Sequence, residues 1–316
     1  ARDAGAAAAM DSGRAAERWV FSRMKLKSNT LTNRTYTYWL MTPGLLIYCI
    51  IFAIPTLASF YFSLTRWDLI NAEFIGLQNF KTFFSQPNTR VAIGHSFIYA
   101  FGTCIIKVVL GMLLAVALSS KYVRSRTYLK SLIYFPTMLS AVAVGITFTA
   151  LMHPTTGLFN QVLAVFGIDK VKWLTDSKHA MGSVMFVDIW KGIGVSTVIY
   201  LAGLGAISKD YYEAADLDGA NGVKRFFHIT LPLMVPSIKS VLTLSLIGGL
   251  KSYELLWTMT EGGPGYSTEI LGTVVYKLFA RGNYGIATAG NVIMFVLICV
   301  IIFPINHYIS KKEVNL

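Results

Sequence analysis

Charge is scarce in this chain, and that scarcity decides the class before any motif is read. Of 316 residues only 14% are Asp, Glu, Lys or Arg, against 54% hydrophobic, and the mean hydropathy is +0.54. A soluble domain cannot hide so much apolar surface, whereas a chain that crosses a bilayer repeatedly needs it. Cysteine is limited to Cys49, Cys104 and Cys299. Each lies inside an apolar run, so no disulfide framework is implied. The dipeptide Gly-Lys is missing altogether. Its absence removes the Gly-rich phosphate loop with its Lys, so ATP must be handled elsewhere. The five histidines, His95, His153, His179, His228 and His307, lack the close spacing that holds a metal. Acidic residues are outnumbered 28 to 16 by basic ones, a net charge of +12. The basic residues sit in short loops between apolar runs rather than on one stripe, which argues against nucleic acid as a partner.

What is present is a series of long apolar runs. Six of them, at about 39–64, 93–120, 128–152, 180–206, 229–258 and 285–309, are long enough to cross a hydrocarbon layer about 30 Å thick. The expected fold is therefore all-α, a polytopic membrane protein of six transmembrane helices. The fifth run is long for one span and is expected to tilt or bend near Pro236. Residues 1–37 form a polar, basic N-terminal tail without an apolar core for a cleavable signal, which leaves insertion to the first span. The remainder, 38–316, is expected to be one transmembrane domain. The tail, the 121–130 region, the 207–228 loop and the C-terminus carry 16 Lys and Arg against 8 in the alternate loops. That two-to-one bias places both termini and the 207–228 loop on the cytoplasmic side.

One polar segment between two apolar runs has an ordered pattern: residues 209–237, KDYYEAADLDGANGVKRFFHITLPLMVPS. Tyr212, Glu213, Ala214, Ala215, Asp216 and Leu217 have helical spacing, and Gly219 falls where a left-handed cap would end a helix. Asn221-Gly222 marks a turn, after which a helical pattern restarts at Val223. This helix–turn–helix is too polar for lipid and too short to stand alone, so it must dock on something.

Glu213-Ala214-Ala215, then Gly219, then Ile229, Leu231 and Pro232, resembles the EAA loop of binding-protein-dependent ABC importer permeases, with Asp218-Gly219-Ala220 as a further match. Other segments are similar to the carbohydrate branch of that family, which serves maltose, glycerol phosphate and oligosaccharides. They are Gly76-Leu77-Gln78-Asn79-Phe80, Tyr134-Phe135-Pro136, Gly157-Leu158-Phe159-Asn160, and Thr260-Glu261-Gly262-Gly263-Pro264 with Ser267-Thr268. The resemblance runs from about Trp39 to the C-terminus and implies the type I permease fold. It also implies a second homologous permease, two ATPase subunits holding ATP and Mg, an external solute-binding protein and a carbohydrate substrate, an acidic polysaccharide of the alginate kind being one form. The segment 209–232 would be the coupling loop, with Tyr212, Glu213, Ala214, Ala215, Asp218 and Gly219 at the ATPase. No catalytic residue and no resident cofactor or metal is expected in this chain.

Charges inside spans are costly and mark a cavity or a partner. Asp188 and Lys191 are three apart on the fourth run, as are Lys251 and Glu254 on the fifth, so each pair has the spacing to neutralise itself on one helix face. Lys107 adds a further intramembrane charge, while Lys239 lies near enough to the end of its run to snorkel. Aligned on the family's sugar-binding positions, the substrate path is expected to include Asp188, Lys191, Gly192 and Val195. From the fifth run it takes Gly249, Ser252, Tyr253, Glu254 and Trp257, with Gly248-Gly249 widening it. Stacking on Tyr253, Trp257 and Trp190 and hydrogen bonds from Asp188, Ser252 and Glu254 suit a saccharide. The excess of Lys over acids suits an acidic one. Two other readings stay open at this level: a secondary carrier or channel with Asp188 and Glu254 as proton sites, and a membrane scaffold that docks soluble partners.

Overall fold

The computed structural model describes residues 41–120 and 123–313, so the tail expected over 1–37 lies outside the described residues. The chain divides into two compact units, residues 1–59 and 60–316. The described part of the first, residues 41–59, holds most of helix α1, Thr42–Ser63. Its apolar side chains Ile47, Ile51 and Leu57 are more than half exposed, as lipid-facing side chains must be. One turn of α1, Cys49–Ala53, is π-helical. It precedes Pro55, which has no N–H to return to Ile51, and a wide turn absorbs the mismatch.

The second unit opens with a hairpin of β1, Thr65–Trp67, and β2, Ala72–Phe74, paired antiparallel. Helix α2, Gln78–Ser85, follows at once. The segment Gly76–Phe80, similar to the carbohydrate branch, thus enters α2 directly after the hairpin. Asn79 on α2 holds it: its side-chain amide donates to the carbonyls of Ser63 at 2.9 Å and Thr65 at 2.8 Å, and the residue is buried.

Helix α3, Pro87–Ser119, is the central post. Against it pack α7, Ala180–Ala206, and α10, Val235–Leu250. Between α3 and α7 lie α4, Arg126–Tyr134, a short 3-10 turn Phe135–Met138, α5, Ala141–Leu151, and α6, Leu158–Val165. The loop after α6 is pinned by Asn160. Its amide donates to the carbonyls of Pro154 and Val171 at 3.0 Å, and its Oδ1 accepts from Val171 N–H at 3.0 Å and Trp173 Nε1 at 3.2 Å. Trp173 is thus part of a folded loop.

After α7 come α8, Lys209–Leu217, and α9, Gly222–Leu233. The chain then runs through α10 into α11, Glu254–Thr260, α12, Leu271–Ala280, and α13, Tyr284–Ser310. Helices α1, α3, α7 and α13 are long and apolar enough to cross a membrane, and two bent pairs bring the number to six. The fold is the all-α one expected, but two expected spans are not straight. The run 128–152 breaks at Pro136 and Ser140 into arms at 96°. The fifth bends by 67° between α9 and α10, just before Pro236, and ends at Leu250 rather than 258. That end follows Gly248-Gly249, the poorest helix formers of the run apart from proline.

The core is built in patches along α3. Tyr99, Val184, Val187, Phe148, Leu256 and Met259 join α3, α7, α5 and α11. Met112, Tyr200, Met234 and Val241 join α3 and α7 to the start of α10. A cavity of about 370 Å³, lined by apolar groups including Met152, Phe159, Trp173 and Phe186, opens at the start of α7; none of the expected path residues lines it.

Candidate functional site

Two features carry the expected function: the α8–α9 elbow and a band of charges where α3, α7 and the α10–α11 break meet.

In the elbow, the Ser208 hydroxyl accepts from Asp210 N–H at 3.3 Å and caps α8, with Asp210 in the first turn where the helix dipole favours it. The far end closes at Gly219, whose φ of +71° is the left-handed conformation. Gly219 N–H returns to Asp216 O at 3.1 Å and Ala220 N–H to Ala215 O at 2.9 Å, a Schellman cap. Asn221 Oδ1 accepts from Lys224 N–H at 2.9 Å and starts α9. One face of α8 is anchored. Ala215 is buried, and half-buried Tyr212 packs on the cluster around Met112, Tyr200 and Met234. Its hydroxyl lies 3.0 Å from Thr230 Oγ1, on α9. Asp216 and Arg225 form an ion pair that closes the elbow. The other face is free: Glu213, Ala214 and Asp218 are exposed, and Leu217 is 91% exposed. Sequence reading had missed Leu217 as a surface group; in a sequence it looks like core, and only its place opposite Tyr212 reveals it.

In the charged band, Asp188, Lys191, Gly192 and Val195 share α7. Asp188 does not pair with Lys191 as the spacing allowed. Its Oδ2 is 2.6 Å from Lys107 Nζ on α3, with side chains only 10% exposed for the lysine and 22% for the aspartate. Gly192 explains the choice. It lies four residues after Asp188, on the same face, and a Cβ there would sit 2.9 Å from Lys107 Cε. The missing side chain is the notch that admits the ammonium. Lys191 is half-buried and has no ion-pair partner among the described residues.

Ser252 and Tyr253 fall in the break between α10 and α11, so Lys251 and Glu254 do not share a helix face; both are exposed and have no ion-pair partner among the described residues. Gly249 does not widen a passage. A Cβ there would lie 2.7 Å from Ala100 Cα, so its role is close packing of α10 on α3, while Gly248 next to it faces open space. Lys239 is not merely snorkelling: its ammonium bonds Ser310 Oγ at 2.7 Å and Glu313 Oε1 at 3.0 Å.

Tyr253 and Trp257 meet a residue that sequence reasoning missed, Tyr276 on α12. Tyr253 stacks on it at 5.4 Å and 23°, and Trp257 leans on it at 4.8 Å. Lys277 stands 5.9 Å over the Trp257 ring. It is held by Glu269 at 2.6 Å, a fully buried carboxylate. The turn 260–268 packs around that carboxylate: Thr268 Oγ1 donates to Gly263 O at 2.8 Å and lies 2.7 Å from Thr260 Oγ1, and Gly262 leaves no room for a Cβ beside Glu269. No periodicity links Glu269 to Lys277, so nothing in the sequence announced the pair.

Among the described residues, helices long and apolar enough to cross a membrane flank a short polar elbow that packs on α3 and α7. Over residues 107–314 the chain matches the family described as the binding-protein-dependent transport system inner membrane component, and it belongs to that family. It is a permease subunit of an ABC transporter. It is 30% identical to a probable ABC transporter permease, YurN, of Bacillus subtilis, covering 89% of this chain and 98% of the relative. It is 31% identical to the arabinooligosaccharide permease AraP of the same organism, covering 84% and 85%. Among solved structures it is similar to a bacterial ABC transporter involved in the import of the acidic polysaccharide alginate. The TM-score is 0.78 at 26% identity, covering 90% of this chain and 98% of that one. It is also similar, at the same TM-score, to a bacterial alginate ABC transporter in complex with alginate pentasaccharide-bound periplasmic protein.

Proposed function

We propose that this permease carries an oligosaccharide into the cell through the band around Asp188, and that the α8–α9 elbow is the handle by which ATPase subunits move it. The observation that carries the reading is the asymmetry of α8. One face is locked to the bundle through Tyr212 and Ala215, and the other offers Leu217 amid Glu213, Ala214 and Asp218. A short polar helix with one anchored and one free face is suited to transmit a push. The complex then contains a second homologous permease, two ATPase subunits binding ATP and Mg, and an external solute-binding protein. Both termini and the elbow face the cytoplasm of a bacterial inner membrane, in line with the excess of Lys and Arg on that side.

A saccharide is favoured by the relatives named for arabinooligosaccharides and alginate and by the aromatic group of Tyr253, Trp257 and Tyr276. Ammonium groups on Lys191 and Lys251 without ion-pair partners favour an acidic one, with Glu254 the single unpaired acid among the path residues. Lys191, Ser252 and Glu254 would bond hydroxyls or carboxylates, and Gly192 and Val195 would leave the α7 side open.

The test is import by the full complex in vesicles, with its binding protein and a panel of neutral and uronate oligosaccharides. Uptake that requires internal ATP, together with saccharide-stimulated ATP hydrolysis, is expected. Uptake driven by a proton gradient without ATP would overturn the reading.

A further inference from the structure

The β1–β2 hairpin is amphipathic. Arg66 and Glu73 are register partners on one face and form an exposed ion pair, Nη1 to Oε2 at 3.6 Å. Strand alternation puts Trp67, Ala72 and Phe74 on the other face. Trp67 stacks on Phe62 with ring centroids 4.3 Å apart, whereas Phe74 is 66% exposed. The turn between the strands displays two aliphatic side chains, Leu69 at 59% and Ile70 at 90% exposure. Leu69 has a φ of +79°, a left-handed conformation that Gly or Asn ordinarily takes. Asp68 holds the turn: its Oδ1 accepts from Ile70 N–H at 3.0 Å and from Asn71 N–H at 2.6 Å. A strained turn suited to glycine therefore shows leucine and isoleucine. In water neither side chain gains anything there, so the tip is built for apolar surroundings.

The level of the hairpin along the bundle says which surroundings these are. Trp67 meets Tyr284, the first residue of α13, at 5.8 Å, and Gly285 has no room for a Cβ beside Thr65 O. Helix α13 is long and apolar enough to cross a membrane, and Trp and Tyr concentrate where hydrocarbon meets water. Lys239, near the start of α10, bonds Ser310 at the other end of α13. The elbow that precedes α10 and the hairpin thus lie at opposite ends of that helix. Ile70 is three residues from Trp67, a reach of about 10 Å at most, so the tip stays within the interfacial zone.

We propose that the hairpin is a membrane foot: Leu69, Ile70 and Phe74 rest among the lipids of the leaflet opposite the elbow, at the boundary of headgroups and acyl chains. Arg66 and Glu73 face water. The assignment does not depend on what the permease carries. A soluble partner that docks and leaves in each cycle would return the tip to water between visits, whereas lipid covers it throughout. The foot fixes the depth of the Tyr284 end of α13 in the bilayer, through the contact of Trp67 with Tyr284.

The test uses the assembled complex in vesicles of phosphatidylcholine and phosphatidylglycerol, with Cys49, Cys104 and Cys299 replaced by serine. Ile70→Cys, Phe74→Cys and Glu73→Cys each carry one environment-sensitive fluorophore. Labels at 70 and 74 should be quenched at least about twofold by phosphatidylcholine bearing a nitroxide just below its headgroup, the depth at which an interfacial apolar face rests. The label at 73 should instead yield to aqueous iodide. Addition of a solute-binding protein should change neither pattern. Iodide quenching at 70 and 74 equal to that at 73 would overturn the proposal, because the tip would then stand in water. Shielding from both quenchers would also overturn it, since a subunit of the complex would then cover the tip. Protection from iodide that appears only with the binding protein would do the same.

Discussion

Tyr212 and Thr230 are eighteen residues apart, and their hydroxyls lie 3.0 Å from each other. That contact ties the exposed helix α8 to α9, and α9 runs into α10 at the base of the fifth span. A force on α8 therefore reaches the bundle through a closed unit rather than through a hinged loop. The Asp216–Arg225 pair adds a second tie on the outer side, where solvent makes it worth little.

Removal of the inner tie should loosen coupling more than it lowers stability. For Tyr212→Phe the expected loss is about 0.5–1.5 kcal/mol, the usual net value of one hydrogen bond. The ratio of ATP hydrolysed to saccharide imported should rise, because the helix yields before it pushes. Paired measurements of hydrolysis and uptake in vesicles check this. An unchanged ratio means that the tie transmits nothing.

Gly219 closes α8 in a left-handed turn with a φ of +71°. A Cβ there would meet no neighbour within 4 Å. Gly219→Ala should therefore cost about 1 kcal/mol, from backbone conformation alone. Gly219→Asp should cost no more than that in stability, yet should uncouple hydrolysis from uptake if the turn meets a partner. Thermal unfolding of the purified complex and its coupling ratio separate the two effects.

Asn79 and Asn160 belong to motifs similar to the carbohydrate branch of the family, and both staple loops. Asn79→Ala leaves the carbonyls of Ser63 and Thr65 without their donor, and Asn160→Ala frees Pro154 O, Val171 and Trp173 Nε1. Each should destabilise by about 1–3 kcal/mol. Protein that still assembles should keep its coupling ratio, as read by the same paired assay.

The elbow was legible because its rules are local. A serine cap, an acidic first turn, a glycine at the left-handed position and an asparagine restart all act within a few residues, and the glycine and the Asn221-Gly222 turn are where the sequence placed them. The spans were legible as apolar runs, though their bends were only half so: the bend before Pro236 was expected, but the break in the run 128–152 and the end at Leu250 were not. The charged band was the least legible. Asp188 had a neighbour of opposite sign at helical spacing, and the local rule chose it; the structure chose Lys107, 81 residues earlier, because Gly192 opens the helix surface there. Gly249 failed for the same reason, since whether a glycine widens a path or lets two helices touch depends on what lies across from it. Tyr276, Lys277 and Glu269 come together through the turn at 260–268, and no pattern of period two or 3.6 encodes that meeting.

The most direct test is a cross-link from Leu217→Cys in the assembled complex, with Cys49, Cys104 and Cys299 replaced by serine. The free face of α8 should form a single strong adduct with an ATPase subunit, and the thiol should react with a membrane-impermeant maleimide only from the cytoplasmic side. Labelling from outside the cell, or an assembled complex in which position 217 reaches no ATPase, would contradict the role assigned to the elbow.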